Sequence, residues 1–146
     1  MQRLLWQKVL TKTDAQRQKG NPTGDLRLTS ANFLIGGKSI NHTKYFRFDI
    51  FENEEWAIID EKSMKESCQI KFHVSVDNGR FEGKTHLTVA HKPSGEAGQK
   101  NYTTGIRWGV WLSHILMREL DCTGMIVCLK LEQGNYLLEI NHSTSL

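Results

Sequence analysis

One run of strictly alternating residues constrains the fold of this chain more than any other feature. From residue 69 to 76 the sequence reads Q-I-K-F-H-V-S-V, with Ile70, Phe72, Val74 and Val76 at every second position. A period of two places these four apolar side chains on one face of a β-strand. The D-N-G that follows at 77–79 has the residue types of a two-residue hairpin turn. The segment therefore predicts a half-buried strand that ends in a tight turn.

Other short segments of the chain carry comparable strand patterns. We predict further strands over residues 4–12, 25–29, 44–51, 56–59, 85–90, 123–131 and 135–140. The last two flank Gln133 and Gly134 and are predicted to form a terminal hairpin. The charged stretch 61–67 predicts a loop or a single helical turn.

Two segments predict helices instead. Ser30 is a suitable N-cap for a short helix over 30–35, which Gly36 and Gly37 would end. Residues 110–120 show the best helical pattern in the chain. The apolar stripe of that helix consists of Leu112, Ile115, Leu116 and Leu120.

Many short strands with few helices favour a mainly β fold, an all-β barrel or pseudobarrel with one or two short helices. The chain has 146 residues and shows no repeat, low-complexity tract or linker. We therefore predict a single domain spanning residues 1–146.

Two long polar loops interrupt the strand pattern. The first lies within 10–28, where Gly20, Pro22 and Gly24 keep it out of helix and central strand. The second spans 91–105. Loops of this length in a small domain are usually functional or disordered. Their residue types suit contacts to base edges and phosphates, although solvated, amide-rich surface loops have the same composition.

The candidate contact residues fall into two groups. Those of the first loop and the strand after it are Lys12, Asp14, Gln16, Arg17, Gln18, Lys19, Asn21, Asp25 and Arg27. Those of the second loop are Lys92, Gln99, Lys100, Asn101, Tyr102, Thr103, Thr104 and Arg107. Cationic side chains would contact phosphates or guanine, while amides, Asp25 and Tyr102 would read bases. We expect Trp108 to anchor the base of the second loop.

Charge and cysteine usage narrow the class of protein. The net charge of +3 and a pI near 8.8 are consistent with a phosphate-bearing partner. The apolar runs are too short for a transmembrane helix and the first residues do not resemble a signal peptide, so we expect a cytoplasmic protein without membrane contact. Cys122, Cys128, His114 and His142 could be imagined as a metal cluster. The three cysteines, Cys68, Cys122 and Cys128, are odd in number and form no C-x-x-C pair. Because free cysteine is among the most buried residue types, we expect buried, reduced thiols instead.

Several short motifs together resemble one family. The stretch L-T-K-T-D-x5-G-x3-G-D-L-R-L, the N-H-T at 41–43, the R-W-G at 107–109 and the T-G at 123–124 follow one another in order. In that order they resemble the effector-DNA-binding domain of EcoRII-type restriction endonucleases. This domain is a pseudobarrel shared with the plant B-three transcription factors and with the target-recognition domain of phospholipase-D-type restriction enzymes. The resemblance spans roughly residues 9–132.

The resemblance implies a seven-stranded open pseudobarrel whose two loops, the N-arm and the C-arm, enter the major groove. Carried across, the N-arm falls on residues 12–25 and the C-arm on 99–104. The family's C-arm is strongly basic, whereas this chain has Lys100, Asn101, Tyr102, Thr103 and Thr104 there. This departure predicts more readout by amides and hydroxyls.

One short motif has the residue types of a catalytic site. His42, Lys44 and Asp49 match H-x-K-x4-D, in which the histidine attacks phosphorus and the lysine binds the phosphate. That chemistry needs two copies and a G-S-x-N continuation, and the chain has one copy without it. The segment 60–62 (D-E-K) has the residue types of a metal-dependent nuclease, but a charged turn explains them better.

These observations lead to one principal expectation. The chain is predicted to bind double-stranded DNA sequence-specifically as the recognition or effector domain of a restriction endonuclease. We expect no catalytic residue, metal or cofactor within it, and a catalytic nuclease domain in the same or a partner chain. The alternatives are a small phosphodiesterase or nuclease using His42 and Lys44, and a protein-interaction barrel that binds no nucleic acid.

Overall fold

The computed structural model describes residues 2–28, 34–35, 38–39, 45–93 and 103–142. The strands are β1 (Gln2–Val9), β2 (Asp25–Arg27), β3 (Leu34–Ile35), β4 (Lys38–Ser39), β5 (Ala57–Asp60), β6 (Lys65–Val76), β7 (Phe81–Lys92), β8 (Thr103–Arg107), β9 (Ile126–Glu132) and β10 (Asn135–Asn141). The helical segments are α1 (Tyr45–Ile50), α2 (Gly109–His114) and α3 (Ile115–Glu119), of which α3 continues directly from α2.

Seven strands form one open, curled sheet that makes a half-barrel. Their order across the sheet is β1–β9–β10–β6–β7–β8–β2, and β5 pairs with β6 off this path. Neighbouring strands are antiparallel except β10 and β6, which are parallel. The predicted mainly β, seven-stranded open pseudobarrel is therefore confirmed. Strands β1 and β2 are consecutive in the chain yet lie at opposite ends of the sheet.

The predicted turns of two hairpins are confirmed. Asn78 and Gly79 have φ angles of 55° and 87°, the left-handed conformation of the central residues of a type I′ turn, and the Arg80 amide closes this turn between β6 and β7 by donating to the Asp77 carbonyl at 3.1 Å. Gln133 and Gly134 join β9 to β10 with φ angles of 50° and 81°. Both turns match the right-handed twist of their strands, so they set the register of the β6–β7 and β9–β10 pairings.

The core lies inside the curl of the sheet. The four alternating residues of β6 are buried there, as predicted, together with Trp6, Phe46 and Trp108. Helices α2 and α3 close one end with a buried face, as their apolar stripe predicts. The buried residues of that face are Leu112, Ile115 and Leu116.

Three predicted elements are wrong. Residues 45–50 form helix α1, where a strand over 44–51 was expected. The Phe51 amide donates to the Phe46 carbonyl at 2.8 Å, five residues back, and this π-type turn buries both rings. The predicted helix over 30–35 ends in strand β3, since Leu34 and Ile35 pair with Ser39 and Lys38; the remainder of that helix lies outside the described residues. The stretch 61–67 is a turn only to residue 64, because β6 begins at Lys65.

Cys68, Cys122 and Cys128 are buried free thiols, as predicted. Burial raises the pKa of the Cys68 thiol to about 12 and that of Cys122 to about 11. In the described part of the chain, no group of three or more His, Cys, Asp or Glu residues could hold a metal ion. None of the helices there is long and apolar enough to cross a membrane.

Candidate nucleic-acid interface

A groove of about 340 Å³ crosses the outer face of the sheet beside the first polar loop and the base of the second. Its floor consists of residues that alternate with the buried ones on β6, β7, β8 and β2. The floor includes Lys65, Ser67, Thr88, Ala90, Lys92, Gly105, Arg107, Asp25 and Arg27. The first loop adds Thr13, Asp14 and Thr23 to one wall. We call this surface the loop groove.

The loop groove is basic. Among the residues that the structure describes, it contains four cationic residues, which are Arg27, Lys65, Lys92 and Arg107, and two acidic residues, Asp14 and Asp25. Each of the two carboxylates already has a cationic partner, since Asp14 lies 2.9 Å from Lys8 and Asp25 lies 3.2 Å from Arg107. Small side chains such as Ser67, Ala90 and Gly105 keep the floor open between the charges.

A second groove, of about 640 Å³, lies further along the same sheet and has the opposite character. It contains four glutamates, which are Glu54, Glu82, Glu132 and Glu139, against Lys71 and Lys84. Glu82 also accepts from His73 at 2.8 Å. Of these two grooves, the loop groove is therefore the one in which cationic residues outnumber acidic ones.

The two polar loops enter the same pair of strands from opposite ends. Asp25 and Arg27 of β2 pair with Arg107 and Gly105 of β8. The first loop leads into β2 at Asp25, and the second leads into β8 at Thr103. A strand rises about 3.3 Å per residue, so the two entry points lie about 13 Å apart. The first loop and the described end residues of the second, Lys92 and Thr104, thus border one groove.

Asp14 holds the start of the first loop. Its carboxylate accepts from the Thr11 amide at 3.2 Å and from the Thr11 hydroxyl at 3.0 Å, and it pairs with Lys8. Only 3% of the residue is exposed. Burial of a carboxylate is tolerated because these donors replace its water. The side chain is committed to the loop, and we assign it no base contact.

Gln16 fastens the two halves of the first loop together. Its Oε1 accepts from the Gly24 amide at 2.6 Å, and its Nε2 donates to the carbonyls of Thr13 at 2.8 Å and Asp14 at 3.1 Å. The residue is buried and has a φ of 60°, a strained conformation for a side chain larger than glycine. The amide therefore stabilises the loop's conformation rather than presenting itself to a partner.

Trp108 anchors the first loop, whereas its sequence position predicts that it anchors the second. The side chain is fully buried, and its Nε1 donates to the Asp14 carbonyl at 2.8 Å. Its backbone amide donates to the Gly24 carbonyl at 2.9 Å. One tryptophan on the strand-to-helix connection thus holds both ends of the first loop.

The other predicted contact residues divide by exposure. Arg17 is half-buried and its Nε donates to the Leu116 carbonyl at 2.7 Å, while Gln18 donates to the Asn21 carbonyl at 2.9 Å. Thr104 is buried and its hydroxyl lies 2.8 Å from His91 Nδ1. By contrast, several predicted contact residues are exposed. They are Lys12, Lys19, Asn21, Arg27 and Arg107.

Some predicted residues lie outside the described part of the chain. These are Gln99, Lys100, Asn101 and Tyr102 of the second loop and His42 and Lys44 of the phosphodiesterase motif. Thr103 is placed as the first residue of β8. Asp49, the third residue of that motif, is exposed on α1. Asp60 accepts from the Lys62 amide at 3.0 Å, which is a turn contact.

Four groove residues of β6 and β7 were not predicted from the sequence. Lys65, Ser67, Thr88 and Ala90 line the groove without belonging to either loop. The alternation of β6 carried the signal for two of them, because extending it back from Ile70 places Lys65 and Ser67 on the polar face. Their position in one groove with residues of β8 and β2 depends on the order of strands in the sheet, which cannot be inferred from the local pattern.

A buried polar cluster supports the base of the second loop. His91, the last but one residue of β7, is 1% exposed and bonds to Thr104. Its burial lowers its pKa below 6.5 despite the nearby Glu66. Glu66 accepts two hydrogen bonds from Arg47, at 2.9 and 3.2 Å, and these lower the pKa of the carboxyl. Arg47 also lies 4.5 Å over the Trp56 ring.

No protein-family model, no curated protein and no solved structure matches this chain.

Proposed function

We propose that this protein binds double-stranded DNA sequence-specifically, with the loop groove against the duplex and the two loops in the major groove. The observation that carries the proposal is the basic groove bordered by the first loop and by the residues at which the second loop begins and ends, Lys92 and Thr104. Its excess of cationic over acidic residues can replace counterions along a phosphate backbone, which supplies affinity for any sequence. The loops and the groove floor add donors and acceptors that can distinguish bases.

The dimensions of the surface support the proposal. Neighbouring strands lie about 4.8 Å apart, so the four strands from β6 to β2 form a floor about 14 Å wide. The major groove of B-form DNA is about 12 Å wide. Loops that start about 13 Å apart can therefore reach one duplex together. The bonds of Asp14, Gln16 and Trp108 fix the first loop before binding, so that little conformational entropy is lost on association.

The motif order that resembles the effector-DNA-binding domain supports a role in a restriction endonuclease. In this proposal the chain supplies recognition, and cleavage belongs to a catalytic domain in the same or a partner chain. Arg27, Lys65 and Arg107 contact phosphates or bases from the groove floor. Asp14, Gln16, Arg17 and Thr104 support the loops. The exposed Lys12, Lys19 and Asn21 contact the duplex from the first loop.

Binding can be tested by fluorescence anisotropy on duplexes selected from a randomised pool, over a series of salt concentrations. Removing one phosphate contact should reduce the slope of log affinity against log salt by about 0.9. We expect this reduction for Arg27→Gln and for Lys65→Gln. Lys84→Gln removes the same charge from the glutamate-rich groove and serves as the matched control.

Two outcomes would contradict the proposal. One is the absence of any duplex binding at low salt, which would favour a protein-interaction barrel. The other is an equal loss of affinity for all three variants, because the loop groove would then have no special role.

A further inference from the structure

Asp25 and Arg107 form a pair at the edge of the loop groove. They lie directly opposite each other across β2 and β8. The Arg107 Nε donates to Asp25 Oδ1 at 3.2 Å, and the exposed fractions of the Arg107 and Asp25 side chains are 65% and 43%. Exposed ion pairs of this kind add little to stability. The pair is therefore available to a partner without being essential to the fold.

The pair uses only part of its hydrogen-bonding capacity. Within the described residues, no other side chain bonds to the terminal guanidinium nitrogens of Arg107 or to the second carboxylate oxygen of Asp25. Arg107 thus keeps its forked donors, and Asp25 keeps an acceptor beside them. In the major groove, guanine presents two acceptors, N7 and O6, and its paired cytosine presents the N4 amino donor next to O6.

The backbone on either side of the pair is fixed. Gly24, just before Asp25, accepts from the Trp108 amide at 2.9 Å, and Trp108 directly follows Arg107. The Asp25 carbonyl also lies 3.5 Å from the Gln16 side-chain nitrogen. Both side chains thus project from strand ends that one buried tryptophan holds together. Donors and acceptors held in this way can discriminate between bases without prior rearrangement.

We propose that Asp25 and Arg107 act as one unit that reads a single G·C base pair, with Arg107 on guanine and Asp25 on the cytosine amino group. This inference rests on the proposed function and adds the identity of one base pair in its target. An A·T pair would be unfavourable at both side chains. The acceptor O4 of thymine would face the carboxylate of Asp25, and the amino donor of adenine would face the guanidinium of Arg107. The unit therefore selects for its pair and also against the alternative.

The test compares the sites that the wild type, Arg107→Gln and Asp25→Asn select from a randomised duplex pool. We expect both variants to relax the same single G·C position, lowering its preference by about 5- to 150-fold and leaving the other positions unchanged. Arg107→Lys keeps the charge without the fork and should relax that position too, with a smaller decrease in affinity for unrelated duplexes.

Arg80→Gln is the matched control. Arg80 also forms an exposed pair, with Asp77 at 3.8 Å, but lies in the turn between β6 and β7. That turn is about 30 Å along β6 from Ser67. Arg80→Gln should leave every position of the selected site unchanged. Thermal denaturation of each variant would verify that it is folded.

The possible failures are distinguishable. If the wild type selects no duplex, the proposed function fails and the inference fails with it. If the wild type selects a site but the two variants relax different positions of it, the proposed function stands. The inference that Asp25 and Arg107 together read one base pair is then wrong. A uniform decrease in affinity without relaxation would make Arg107 a phosphate contact and would also overturn the inference.

Discussion

Substitution of two fully buried tryptophans would measure how much one hydrogen bond contributes to holding the first loop in place. Trp108 Nε1 donates to the Asp14 carbonyl at 2.8 Å. Trp6 is equally buried, but its Nε1 has no hydrogen-bond partner among the described residues. Replacing either residue by phenylalanine removes the same atoms from the core. The two substitutions differ in whether they break a hydrogen bond.

The expected difference follows from the cost of a buried donor. Trp108→Phe removes a hydrogen bond with a net value of about 1 kcal/mol, whereas Trp6→Phe removes an unsatisfied donor whose burial costs about 1–3 kcal/mol. The decrease in packing is similar at both sites and largely cancels. We therefore expect Trp108→Phe to lower the free energy of unfolding by about 2–4 kcal/mol more than Trp6→Phe.

Urea denaturation followed by circular dichroism would measure this difference. Hydrogen exchange would show whether the amides of residues 11–24 become less protected in Trp108→Phe alone. We also expect weaker DNA binding from Trp108→Phe and unchanged binding from Trp6→Phe. Equal destabilisation by the two substitutions, or unchanged exchange in the first loop, would refute the anchoring role of Trp108.

Three further predictions concern other parts of the fold. Gly24→Ala and Gly134→Ala both place a side chain at a φ near 80°, so each should lower the free energy of unfolding in urea by about 1–2 kcal/mol. Only Gly24→Ala should also weaken DNA binding, and equal binding by both variants would contradict this. Burial lowers the pKa of His91, so below pH 6.5 the unfolded chain binds more protons than the folded protein does. The free energy of unfolding should therefore fall from pH 7.5 to 5.5, and it should fall less in His91→Gln. Parallel pH profiles of the two proteins would contradict this. The Cys68 thiol, with its pKa of about 12, should resist alkylation at pH 8 until urea unfolds the protein, and rapid labelling of the native state would contradict its burial.

The strands and their turns could be predicted because their signals are local. Alternation over β6 and the D-N-G turn after it depend on neighbouring residues alone, and the structure confirms both. Strand β1 departs from strict alternation, because the adjacent residues Leu5 and Trp6 are both apolar. The pairing of β1 with β9 shifts register between Leu4 and Trp6, which lets the adjacent Leu5 and Trp6 both face the core.

Helix α1 shows where alternation fails as a guide. Phe46, Phe48 and Ile50 alternate with polar residues, yet Phe48 is 46% exposed. The buried residues are Tyr45, Phe46 and Phe51, which a π-type turn places on one side. The Tyr45 hydroxyl donates to the Leu5 carbonyl at 2.7 Å, and these two residues are 40 positions apart in the sequence. Such a tertiary interaction outweighs the local strand pattern and cannot be inferred from it.

The candidate interface was predictable in position but not in the role of each residue. Asp14 and Gln16 have the polar character of contact residues, but their partners are backbone groups of the same loop. Composition does not distinguish a side chain that shapes a loop from one that faces solvent. Likewise, Lys65 enters the groove only because β6 pairs with β7, which in turn pairs with β8, and this is a property of the strand order.

The position of β1 and β2 at opposite ends of the sheet has a mechanical consequence. The first loop is the covalent link across the seam where the half-barrel fails to close, and Lys8 adds a cross-link there by donating to the Arg27 carbonyl at 3.3 Å. A force that spreads the seam would be transmitted directly to this link. A rigid ligand bound to the first loop would in turn hold β1 and β2 together. Ligand binding and the resistance of the whole sheet to opening would therefore increase together.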